Sequence, residues 1–224
     1  MKPTPLTIAA VVAIAVTYIR AIFFTPLEAV QGPAQKILYV HAPAAWVAFM
    51  AFGLVAVASG LYLWLREDRL DRIAESSAEV GVVFTTVVLT TGPLWGKPIW
   101  GAYWTWDARL TLTLFLWFIY VGYIVLRGAL EDREVRARYS AVLGILGALL
   151  IPFIHLSVYL FRTLHPQPIL MKPSAPSLPG EMLTTLLLSF ASFTLLYVAL
   201  LRARYRFAVT RDGANPPPEV NGAQ

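Results

Sequence analysis

Cysteine is absent from the 224 residues, charged side chains make up only 14% of them, and there are three histidines. Without a thiol the chain has no disulfide framework, no thiolate metal site, no thiol redox chemistry and no way to attach a cofactor through its own sulfur. There is no glycine-rich phosphate loop, no paired-carboxylate arrangement and no internal repeat. His41, His155 and His165 are therefore the strong neutral ligands available, and their placement carries weight.

What the chain has in abundance is apolar surface: 58% hydrophobic residues and a mean hydropathy of +0.63. Apolar runs near twenty residues recur along the length, each able to cross a hydrocarbon core of about 30 Å. In lipid such runs must be helical, because unpaired backbone groups find no water there. The expected fold is all-α: a single six-span membrane domain over residues 1–210, with spans at about 6–24, 44–65, 78–94, 110–126, 139–161 and 182–201. The first run is longer than a signal-peptide core and lacks a small-residue cleavage site, so it reads as a span. The proline-rich tail 211–224 reads as disordered.

Lys and Arg fix the expected orientation. They crowd the 66–77 and 127–138 connections and the stretch from Arg202 to Arg211, which, with Lys2, places both termini and these loops in the cytoplasm. The charge of +5 reads as topology, with no basic face for nucleic acid. The connections 25–43, 95–107 and 162–181 then share the outer face, with His41, His165 and most of the tryptophan. In His41-Ala42-Pro43 the proline suits the first turn of the second span, leaving His41 just ahead of it. Asp107 suits the N-cap of the fourth span, a role that weighs equally with a functional one. Pro152 is expected to kink the fifth span and free a carbonyl for His155. Gly144, Gly147 and Ala148 offer a small-residue packing face.

Residues 95–111 read WGKPIWGAYWTWDARLT. Trp95, Trp100, Trp104 and Trp106, four of the seven tryptophans, fall within a dozen positions, two glycines and a proline holding the backbone off a helix. Such a cluster is either an interfacial belt or a shelf for a flat aromatic ligand. With two histidines converging from separate outer loops, haem fits the second reading, its iron taking axial imidazoles on opposite faces. Lys36, Lys97, Arg109 and Arg162 are the outer cations available to its propionates.

This run resembles the tryptophan-rich "WWD" signature of the haem-handling superfamily, which contains the CcmC, CcmF and CcsA types. Size and span count resemble the CcmC type. LYVHAPAAW at 38–46 and RTLHPQP at 162–168 are similar to its axial-ligand loops. The resemblance implies that His41 and His165 are axial ligands of a non-covalent, b-type haem, and that Trp95, Trp100, Trp104, Trp106 and Asp107 form its platform. Tyr103 stands where many members carry a further Trp, and His155 matches no ligand position. It further implies a non-enzymatic haem-delivery component of the bacterial inner membrane, working on the periplasmic face in c-type cytochrome biogenesis. The partners implied are the haem chaperone CcmE, the small membrane protein CcmD and the ABC transporter CcmAB. The alternatives are a CcsA-type haem lyase acting on apocytochrome c, an ion- or proton-conducting subunit, and a ligand-free assembly scaffold.

Overall fold

A backbone in lipid must satisfy its own polar groups, and the computed structural model, which describes residues 3–161, 163–166, 170, 174 and 177–214, does so almost entirely with helices. The helices are α1 (Pro5–Ile19), α2 (Leu38–Leu65), α3 (Asp68–Trp100), α4 (Ala108–Ala129), α5 (Arg133–Ala148), α6 (Leu150–Leu160) and α7 (Gly180–Ala214). No strand occurs among the described residues. A π-helical turn, Arg20–Phe24, extends α1, and a 3-10 helix, Pro33–Ile37, leads straight into α2. With α5 and α6 joined end to end, six helical stretches among the described residues are long and apolar enough to span a membrane.

Two boundaries differ from the sequence expectation. Pro43 lies inside α2, and so does His41. The helix entry is set by Pro33, which occupies the first turn of the 3-10 segment, where a missing N–H costs nothing. The run 95–100 is also helical, although Pro93 and Pro98 fall inside α3. Each proline forgoes one backbone bond, and the helix ends only at Gly101, whose φ of +76° no branched side chain takes readily. Trp95 and Trp100 are thus carried on a helix, whereas Trp104 and Trp106 lie in the short connection to α4.

Close packing follows the small residues. Phe52 of α2 stacks on Tyr120 of α4 with ring centroids 3.7 Å apart. A Cβ on Gly81 would come within 2.5 Å of the Phe52 ring, so α2 and α3 can approach only because that position is bare. Gly144 and Gly147 do the same on α5, facing Val55 and Tyr120 respectively. Ser77 joins three helices, donating to the Ala51 carbonyl and sharing a bond with the Tyr197 hydroxyl, both at 2.8 Å.

The fifth span is divided at Leu149, three residues before Pro152, although Leu149 keeps helical φ and ψ and still donates to the Ile145 carbonyl at 3.2 Å. The His155 side chain, however, makes no hydrogen bond to another described residue, so the freed carbonyl is not its partner. The last helix continues through Ala214, so four residues of the expected disordered tail are helical; the rest of that tail lies outside the described residues.

At the end of the bundle where α3 begins, charge is organised into a network. The buried Arg127 guanidinium binds Asp71 through two bonds of 2.6 and 2.8 Å and reaches Glu75 at 3.2 Å. Arg211 forks onto the same Glu75 at 2.7 and 2.8 Å. Asp212 accepts from Arg133, which also pairs with Asp68. These pairs tie α3, α4, α5 and α7 together across large separations in sequence, and the loop composition alone gives no sign of them.

Candidate functional site

The opposite end of the bundle opens into a cavity. It holds about 1170 Å³ of atom-free space, mouth included, and runs from the loops down past Ala48 and Phe49 of α2 and Thr85 of α3. Its upper wall carries His41, Trp95, Trp100, Trp104, Arg109 and His165. Below them the lining is apolar, with Val88, Leu89, Leu116 and Ile154. The apolar wall with a few polar groups near the mouth fits the class of small-molecule and cofactor sites.

Helix geometry positions each group. His41 sits in the first turn of α2 and Trp95 on α3, their rings in a T-shaped contact at 5.8 Å. Trp100 lies one turn beyond Gly96, where an added Cβ would come within 3.0 Å of its ring. The absence of that Cβ lets the indole lie flat along α3. His165 arrives from the connection between α6 and α7. Its ring is 6.4 Å from that of His41, with planes 34° apart, and 6.3 Å from Trp100. The two imidazoles are close enough for one group to meet both.

Hydrogen bonding assigns their protons. His165 Nδ1 lies 3.0 Å from the Pro166 carbonyl, which can only accept, so Nδ1 carries the hydrogen and Nε2 keeps a lone pair. Burial first, and then the Arg109 guanidinium, pull the His165 pKa from its ordinary 6.5 down to about 4, against the opposing pull of the Pro166 bond. The ring is neutral at physiological pH, as a metal ligand must be. His41 Nδ1 is 2.9 Å from the Thr91 hydroxyl.

Two donors on the cavity wall lack partners. Trp104 Nε1 and Arg109 Nη1 are both buried, and neither meets an acceptor among the described residues. Unpaired buried donors are costly, and a charged one most of all. Arg109 forms no ion pair with Asp107, although two residues separate them in sequence. A ligand with acidic oxygens would satisfy both groups.

The other residues singled out by sequence lie elsewhere. Asp107 caps α4, its Oδ1 accepting from Leu110 N–H at 3.0 Å and its Oδ2 from the Thr105 hydroxyl at 3.4 Å. That is the capping role the sequence allows. Trp106 is 76% exposed and packs edge-on against Trp104 at 5.6 Å, outside the cavity wall. Lys97 is spent on the Gly101 carbonyl at 2.9 Å and lies over the Tyr103 ring. Lys36 donates to the carbonyls of Thr25 and Pro26. Arg162 falls outside the described residues. Tyr103 does line the cavity mouth, with 59% of its surface exposed.

Sequence reasoning missed Gln31 and Thr91. Gln31 accepts from Trp95 Nε1 at 3.0 Å and so braces the indole from the loop before α2. Neither residue type stands out on its own, and only the fold brings them to the site.

Comparison with known proteins agrees with this architecture. The family model described as "Heme exporter protein C" matches residues 2–216. The chain is 37% identical over 208 residues to the heme exporter protein C of Haemophilus influenzae, covering 92% of this chain and 84% of that protein. It is 40% identical over 182 residues to that of Bradyrhizobium diazoefficiens, covering 81% and 69%. For the Escherichia coli K12 protein the identity is 37% over 201 residues, covering 90% and 81%. With its six apolar spans and a match over nearly its whole length, the chain belongs to the heme exporter protein C (CcmC) family.

Proposed function

We propose that the cavity holds a non-covalent b-type haem between His41 and His165 and that the protein delivers it to a membrane-anchored chaperone of the CcmE kind during c-type cytochrome assembly. The observation that carries this reading is the 6.4 Å separation of the two imidazoles on the wall that also bears the unpartnered Trp104 and Arg109 donors. Bound haem would supply an iron for the two Nε2 lone pairs and anionic propionates for the donors.

The chain's own residues hold, orient and shield. His41 and His165 would hold the iron through their Nε2 lone pairs. Trp95 and Trp100 provide flat apolar faces, and Arg109 with Trp104 forms charge-assisted and neutral hydrogen bonds to carboxylate oxygens. Trp106, exposed at the rim, and Asp107, which fixes the start of α4, support the platform from outside. The cavity is open at its loop end, which suits a cargo that must leave again. The heme exporter name that its relatives carry supports a delivery component over an enzyme.

By the positive-inside rule, the arginine-rich end with the ion-pair network supports a cytoplasmic position for that end and both termini, and with it a haem site on the periplasmic side of the inner membrane. CcmD and the CcmAB transporter are the membrane partners that family membership supports. The test is haem content. The protein purified as His41→Ala or His165→Ala is expected to lose most of its Soret absorbance, and His155→Ala to keep it. Retention of wild-type haem by the His41 and His165 variants would overturn the assignment. Co-purification with the chaperone, and not with apocytochrome c, separates delivery from a lyase activity.

A further inference from the structure

His41 reaches its neighbour on α3 in a way that fixes its proton. Its Nδ1 lies 2.9 Å from Thr91 Oγ1. The threonine hydroxyl has one hydrogen, and it is directed at the Val87 carbonyl four residues earlier in the same helix, at 2.7 Å. A second carbonyl, that of Val88, lies behind at 3.5 Å. With its proton taken by backbone, Thr91 can only accept from His41. The Nδ1 of His41 must then carry a hydrogen, and Nε2 is left with the lone pair; the other tautomer would set two lone pairs against each other. The next residue, Gly92, gives the ring its seat: a Cβ there would stand 3.2 Å from His41 Cε1, so the imidazole edge rests on bare backbone.

We propose that Thr91 is a positioning residue for the haem site, holding His41 in the tautomer and ring orientation that present Nε2 to iron. The inference rests on the reading of His41 as an axial ligand. It gives His41 the counterpart of the bond that His165 makes to the Pro166 carbonyl, so each ring has its Nδ1–H occupied by a fixed acceptor. Such partners fix the tautomer and raise ligand basicity, and their loss typically costs 10–100-fold in metal affinity.

The experiment compares Thr91→Val, Thr91→Ser and His41→Ala with wild type in the full-length, detergent-purified protein. In the haem-free state, 15N-histidine NMR reads the tautomer directly: Nδ1-protonated His41 is expected in wild type and Thr91→Ser, and a mixture of tautomers in Thr91→Val. On titration with haem, Thr91→Val is expected to bind about 10–100-fold more weakly. Its midpoint potential should shift upward, because a less basic imidazole stabilises ferric iron less, with Thr91→Ser restoring both values. A Thr91→Val protein with wild-type tautomer, affinity and potential, set beside a His41→Ala protein that has lost haem, overturns the role of Thr91 alone. A His41→Ala protein that binds haem like wild type overturns the ligand reading, and the inference with it.

Discussion

The imidazoles of His41 and His165 stand 6.4 Å apart, one on the first turn of α2 and the other in the connection that leads into α7. Neither ring is oriented by chance. Each gives its Nδ1–H to an oxygen on its own side, Thr91 for one and Pro166 for the other. The lone pairs that remain belong to the nitrogens able to meet a metal.

Arg109 is expected to hold anionic oxygens of the cargo, because its Nη1 is buried on the cavity wall without a partner among the described residues. A hydrogen bond to a charged group contributes about 1.5–3 kcal/mol. Arg109→Leu should therefore weaken haem binding by roughly 10–100-fold in a titration followed at the Soret band. Lys36→Ala and Lys97→Ala, whose amines are occupied by backbone carbonyls, should bind as wild type. The reverse ranking would move the propionate site elsewhere.

Asp107 serves α4 as its N-cap. Asp107→Ala should lower stability by about 0.5–2 kcal/mol, whereas Asp107→Asn, which caps equally well, should change it little. Thermal unfolding in detergent reads the difference. If Asp107→Asn instead loses haem at unchanged stability, the carboxylate charge acts on the cargo directly.

At the other end of the bundle, Arg127 and Asp71 form a buried bidentate pair, with side chains 5% and 8% exposed. Removing one partner strands the other charge, which typically costs about 3–5 kcal/mol. Arg127→Leu should thus unfold at a much lower temperature than wild type, while any protein that folds keeps its haem affinity. A stable Arg127→Leu protein would show that water reaches Asp71.

The pH dependence follows from His165. Its pKa is lowered from 6.5 to about 4 in the fold. Between those values the unfolded chain carries a proton on this ring and the folded one does not. Stability therefore rises with pH across that window and is lost as pH falls towards 4. His165→Gln, which cannot titrate, should lack this part of the slope when unfolding temperatures are compared between pH 4 and 7. Parallel curves for the two proteins would mean that the ring is solvated.

The six spans were legible because lipid demands runs of about twenty apolar residues, and every such run became a helix. Their ends were not. Pro43 and Pro98 look like boundaries in sequence, yet a proline removes only one backbone bond, and packing of α2 and α3 against each other outweighs that loss. The gathering of His41, His165 and the indoles at one cavity was legible from their shared face. Which tryptophans line it was not: Trp95 and Trp100 are aimed by helix phase, while Trp106 turns outward in a loop that no periodicity governs. The partners Gln31 and Thr91, and the pairing of Arg127 with Asp71, depend on contacts between distant helices. No local pattern encodes them.

The most direct test of the account is the low-temperature EPR spectrum of the ferric, haem-loaded protein, recorded for wild type and for the His41→Ala and His165→Ala variants. Two imidazoles on one iron predict a low-spin signal in wild type that gives way to a high-spin one in either variant. A high-spin wild-type spectrum, or a low-spin signal that survives both substitutions, would contradict it.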